Sequence, residues 1–131
     1  MHLTLDHTQR LNLIAILDAL ECQGRREMFA VCRLQEKLEL NDEERAAIGW
    51  RKEKVPDGSG REGVLWSARA EPIICDCEIS EDDVQRICRA LDKFPVVLGR
   101  DKAWYLPLVM QLPMPDKAEV NSTQMAAARG D

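Results

Sequence analysis

Histidine is scarce in this 131-residue chain, and the two that occur, His2 and His7, both lie at its N-terminus. No serine or cysteine sits on a recognisable nucleophile turn, so neither a nucleophile nor a base placed to activate one stands out. A phosphate loop is missing as well: the glycines from Gly58 to Glu62 lack the Lys-Ser/Thr ending and the strand-to-helix setting that such loops need. Long apolar runs are also wanting. The longest, near Trp104 to Met110, is interrupted by Pro107 and falls far short of the roughly 20 residues a membrane helix requires. The opening after Met1 reaches an acid at Asp6 without the basic and then apolar order of a signal peptide, so a cytoplasmic protein is expected. These absences speak against an enzyme, a cofactor, a small-molecule substrate or a membrane span.

What is present suits a globular protein. A hydrophobic content of 45% with 31% charged residues is ordinary for a folded chain and fits neither disorder nor a membrane protein. At this length one domain over residues 1–112 is expected, large enough to bury a core without disulfides. Five cysteines, Cys22, Cys32, Cys75, Cys77 and Cys88, are an odd number, and most lie on or beside apolar faces, so they read as reduced core residues.

The segment from Leu3 to Leu40 organises the rest. Leu3 and Leu5 alternate with Thr4 as in a short strand, and Asp6 with Gln9 has capping-box spacing. Leu13, Leu17 and Leu20 then form a broad apolar stripe, with Gln9, Arg10 and Asn12 as its polar, outward positions and His7 solvated in the first turn. Gly24 breaks the pattern, and a second helix follows with the stripe Met28, Val31, Leu34 and Leu38, giving an antiparallel pair. Asn41 with Glu44 opens a short helical turn that Gly49 ends. Residues 50–67 read as a β-hairpin with a turn rich in Pro, Asp and Gly, and residues 72–79 as a strand with Ile73, Cys75, Cys77 and Ile79 on one face. Ser80 caps a clean amphipathic helix carrying Val84, Ile87, Cys88 and Leu91, stopped at Phe94 by Pro95. A last helix is expected between Asp101 and Leu112, kinked or shifted by Pro107. Residues 113–131 have no periodic apolar face and are expected to be disordered or ordered by a partner. The class is therefore α+β: an antiparallel helix pair and a later helix on a small, mainly antiparallel sheet that contains the hairpin.

Three constellations could carry function. Cys75-x-Cys77 places two thiols on one face, with Cys22 or His7 to complete a metal site, but a structural zinc site has two short-spaced pairs and core packing is the favoured reading. The hairpin from Trp50 to Arg61 carries Arg51, Lys52, Lys54 and Arg61 against Glu53 and Asp57, net +2, with Trp50 as a stacking platform for nucleic acid. A solubilising strand edge would have the same composition. The opposite sign is more marked: Glu71, Asp76, Glu78, Glu81, Asp82 and Asp83 are six acids in thirteen residues with no base between them. Acids in a first helical turn explain part of this. The remainder presents a negative field to a basic protein partner.

The opening Leu3-Thr4-Leu5 with Thr8-Gln9-Arg10-Leu11, the Glu36 to Glu44 segment, the Val64-Leu65-Trp66 strand end and the acid-rich start at Glu78-Ile79-Ser80 resemble small proteins of tailed-phage and prophage genomes. The resemblance spans most of residues 3–110 and assigns no site residue. It implies a bacterial cell containing phage genes, where a small acidic protein of this kind binds a host or phage macromolecule. The expected function is thus a non-enzymatic, phage- or prophage-encoded protein-binding module acting through its acidic surface, with a nucleic-acid-associated accessory protein as the alternative.

Overall fold

A computed structural model describes residues 1–54, 58–67 and 69–113. Its contacts divide the chain into two compact units, Met1–Pro95 and a second beginning at Val96.

In the first unit, β1 (His2–Leu5) pairs antiparallel with β4 (Cys75–Glu78), with Leu3 opposite Cys77 and Leu5 opposite Cys75. The alternation read in the sequence is what allows this: Leu3 and Leu5 are fully buried while His2 and Thr4 face out. The ladder is extended at one end, where the Met1 carbonyl accepts from the Ile79 N–H at 2.7 Å.

Asp6 caps α1 (His7–Asp18) by the expected reciprocal box, accepting from the Gln9 N–H at 2.8 Å while Gln9 Oε1 accepts from the Asp6 N–H at 2.9 Å. Gly24, at φ +85°, opens α2 (Gly24–Leu38) instead of closing α1, which ends at Asp18. Val31, Leu34 and Leu38 of α2 are buried, whereas Met28, one helical turn earlier on the expected stripe, is exposed. Contacts between these helices run in opposite chain directions, Arg10 meeting Leu38 and Asp18 meeting Gln35, as in an antiparallel pair. The short α3 (Asp42–Ile48) has its Asn41/Glu44 box and a left-handed Gly49 at its end. Ser80 caps α4 (Glu81–Lys93), which buries Val84, Ile87, Ala90 and Leu91 and packs on both α1 and α2.

The strands divide differently from expectation. β2 (Arg51–Lys54) and β3 (Glu62–Leu65) form a hairpin ladder of their own, separate among the described residues from the β1/β4 pair. Every residue of β2 is exposed. A strand reading Arg-Lys-Glu-Lys has charge on both faces, so packing it into a larger sheet would strip water from at least one ion. The hairpin is held at its base, where the Ser67 N–H donates to the Ile48 carbonyl at 2.8 Å. Its Val55, Pro56 and Asp57 turn lies outside the described residues, as does the expected tail after Pro113.

In the second unit α5 spans Leu98–Val109 and so begins three residues earlier than the sequence suggests. Pro107 falls in its last turn and removes the backbone N–H that would otherwise donate to the Ala103 carbonyl. Leu108 and Leu112 are buried and Trp104 is half-buried. No helix among the described residues is long and apolar enough to cross a membrane.

Several sequence readings are overturned at the level of single side chains. His7, Gln9 and Arg10, expected at solvated or polar outward positions, are each only 4% exposed. The reason is that His7 and Arg10 satisfy backbone groups brought in by distant segments, as the next section describes, while Gln9 folds back onto the Asp6 N–H. Cys32 is exposed and not a core residue, because it sits off the Val31/Leu34 stripe of α2. Of the five thiols only Cys77 is buried; Cys22, Cys75 and Cys88 are half-buried.

Candidate functional site

The acidic residues lie ahead of β4, on its outward face and in the first turn of α4, and they do not act as one group. Alternation along β4 turns Cys75 and Cys77 inward and Ile74, Asp76 and Glu78 outward. Ile74 is 62% exposed, an apolar side chain set among carboxylates. His2 lies opposite Glu78 in the ladder and its Nδ1 is 3.4 Å from Asp76 Oδ1. Past Ile79 the chain turns into α4, whose first-turn acids Glu81 and Asp82 are exposed, and Glu71 is exposed ahead of the strand. Asp83 differs. It is half-buried and accepts from Arg86 Nη1 at 2.7 Å, so a base three residues on cancels its field. The acidic edge therefore comprises Asp76, Glu78, Glu81 and Asp82, with Glu71 nearby in sequence.

The basic hairpin is less available than its composition implied. The Arg45 guanidinium sits 4.2 Å from the centre of the Trp50 ring, so one stacking face of this half-buried tryptophan is already covered. Arg51 is engaged by the Glu53 carboxylate, and Arg61 Nε donates to Ser59 Oγ at 3.1 Å. Lys52 and Lys54 are exposed, with Lys54 directly opposite Glu62. The positive potential of this ribbon is correspondingly reduced by its own acids.

A surface that sequence reasoning missed lies on α2. Arg25, Phe29 and Arg33 follow one another at four-residue steps on the side opposite Val31, Leu34 and Leu38. With Arg26 and Ala30 they line a shallow groove of about 550 Å³. Phe29 is 67% exposed and Met28 57%. The signal was present in the spacing, since an aromatic between arginines at helical steps cannot share the buried stripe.

Polar side chains expected outside serve instead as internal ties. His7 Nδ1 accepts from the Ile73 N–H at 3.2 Å, fixing the chain just ahead of β4. Arg10 donates to the Leu38 carbonyl at 3.0 Å, the Glu39 carbonyl at 2.7 Å and Glu44 Oε2 at 2.9 Å. That pairing, and then the Asn41 N–H, hold the Glu44 carboxyl below its ordinary range. Glu27 is drawn down likewise, by the Gln23 N–H first and then by Arg89, whose Nη2 is 2.8 Å away on α4.

Cys75 and Cys77 are in direct contact, the Cys77 thiol donating to Cys75 Sγ at 3.3 Å. Burial first, and the neighbouring thiol second, push Cys77 up to about 11. Among the described residues no three His, Cys, Asp or Glu side chains converge as a metal site, so neither Cys22 nor His7 completes a tetrahedron with the pair. Compared with protein-family models, with curated proteins and with solved structures, the chain matches none of them.

Proposed function

We propose that this chain is a non-enzymatic protein-binding module that engages a basic surface of its partner through the edge running from β4 into α4. The observation that carries this reading is the outward row Ile74, Asp76 and Glu78, continued by Glu81 and Asp82. An apolar side chain more than half exposed offers something to bury, and the flanking carboxylates give the contact its sign and speed its encounter. The phage-like opening supports a phage- or prophage-encoded protein acting in the bacterial cytoplasm. Affinity capture from a bacterial lysate, repeated with Glu78→Lys and Asp82→Lys combined, tests it. The partner should be lost with the double variant and weakened by salt. Undiminished capture would refute the assignment of this edge.

The α2 groove favours a second reading, nucleic-acid association, moved from the hairpin to this helix. Phe29 among Arg25, Arg26 and Arg33 offers a stacking face beside phosphate-binding cations. Mobility shift with single-stranded DNA and RNA at low salt, in parent protein and in Arg26→Glu combined with Arg33→Glu, decides between the two. No salt-dependent shift in the parent would remove this reading.

A further inference from the structure

We propose that Cys75 and Cys77 form a two-thiol binding site for trivalent arsenicals, meaning arsenite and its mono-organic derivatives. The two side chains come from one strand at positions two apart, on the face turned inward, and their sulfurs are 3.3 Å from each other. Cys75 is half-buried and so reachable, while Cys77 lies behind it at 9% exposure.

Three kinds of chemistry could use such a pair, and geometry separates them. A disulfide needs its sulfurs roughly 2.0 Å apart and its Cβ atoms about 4 Å apart. Residues two apart on an extended strand are spaced about 6.6 Å, so closing that bond would buckle β4. The buckling would pull Cys75 and Cys77 out of register with Leu5 and Leu3, both fully buried. A zinc site needs four ligands, and no third side chain of the right type joins the pair among the described residues. A single pyramidal atom bonded to both sulfurs asks for neither. Two bonds of roughly 2.3 Å, the length of a zinc–thiolate bond, meeting near a right angle span about 3.3 Å. Trivalent arsenic has that shape, and the strand need not move to receive it.

The reaction balances without an oxidant or reductant. With a mono-organic arsenoxide, two As–S bonds form, two S–H bonds and the As=O bond are lost, and one water leaves. With arsenite, two As–OH groups are replaced, two waters leave and the third hydroxyl stays. Arsenic remains trivalent throughout. Because both thiol protons depart in water, a thiol that is protonated at neutral pH, as Cys77 is, remains a competent reactant. The first bond at the more accessible Cys75 makes the second an intramolecular step at high effective concentration.

The test uses the full chain, reduced, with phenylarsine oxide as the probe. Intact mass should show one adduct per chain with loss of one water, and tryptic digestion should place it on the peptide of residues 70–86, which holds these two cysteines and no other. Substituting Cys22, Cys32 and Cys88 together by serine should leave the affinity unchanged. Cys75→Ser or Cys77→Ser should each weaken it on the order of 100-fold, as for a chelate losing one arm. No adduct, an adduct on another peptide, or one that survives Cys75→Ser at full affinity would overturn the proposal. Peptide mapping on the parent protein decides the matter even if a serine variant fails to fold.

Discussion

Arg10 and Glu44 are 34 residues apart in sequence, yet Arg10 Nη1 lies 2.9 Å from Glu44 Oε2, and the same guanidinium also takes the carbonyls of Leu38 and Glu39. One side chain on α1 thereby closes the end of α2 and anchors the cap of α3. The Glu44 carboxylate serves twice, since its other oxygen accepts from the Asn41 N–H at 2.9 Å.

Arg10→Ala should cost about 2–3 kcal/mol, because it strands the buried Leu38 carbonyl and takes the partner from the half-buried Glu44 carboxylate. Arg10→Lys keeps the charge without the planar fork and should recover only part of that loss. Urea unfolding followed by circular dichroism measures both. A loss below about 0.5 kcal/mol for the alanine variant, the usual range for a surface substitution, would show that solvent replaces the arginine.

His7→Leu tests the second long-range tie. The imidazole is 4% exposed and its Nδ1 is the acceptor for the Ile73 N–H, so leucine leaves a donor without its partner at the start of β4. The expected loss is about 1–3 kcal/mol. Amide exchange at Ile73 should quicken by more than the global destabilisation explains, and equal protection in both proteins would contradict the assignment.

The second unit should carry an acid-sensitive element. Arg100 first, then the Val97 N–H, with Trp104 adding a further hydrogen bond, hold Asp101 down to about 2. A carboxylate whose folded value lies below its unfolded value of about 3.9 contributes fully above that pH, and the contribution fades as pH falls from about 4 toward 2. With Trp50 and Trp66 changed to phenylalanine, Trp104 fluorescence should report this transition, and Asp101→Asn should flatten it. An unchanged acid limb in the asparagine variant would refute the link.

Gly49→Ala isolates a backbone effect. Gly49 has φ +69°, and a Cβ there would meet nothing within 4 Å, so any cost comes from the left-handed conformation alone. About 1–2 kcal/mol is expected by thermal or urea unfolding, with Gly49→Asn less harmful. Equal stability of alanine and glycine would mean that α3 frays or ends elsewhere.

The legible parts of this molecule were those governed by neighbours along the chain. Capping at Asp6, Asn41 and Ser80 follows from a side chain meeting a backbone N–H three residues on, and all three caps form as spaced. The inward set of β4 and the buried stripe of α4 follow from periods of two and 3.6 residues. The acidic positions are readable, but spacing alone groups Asp83 with the rest, because its pairing depends on how Arg86 is turned. Phe29 and its arginines escape such a reading for a related reason: periodicity marks the buried stripe and is silent about what the other face gathers.

The sequence by itself thus determined where α1, α3 and α4 begin and which alternate residues of β4 turn inward, since those outcomes need only bonds and periods a few residues long. Only the tertiary structure decided that His7 and Arg10 are internal ties, that β1 pairs with β4 across seventy or more residues, and that the hairpin forms a ladder of its own among the described residues. A buried polar group is admissible only where a partner meets it, and here those partners are backbone atoms of segments far along the chain, whose arrival no local pattern encodes.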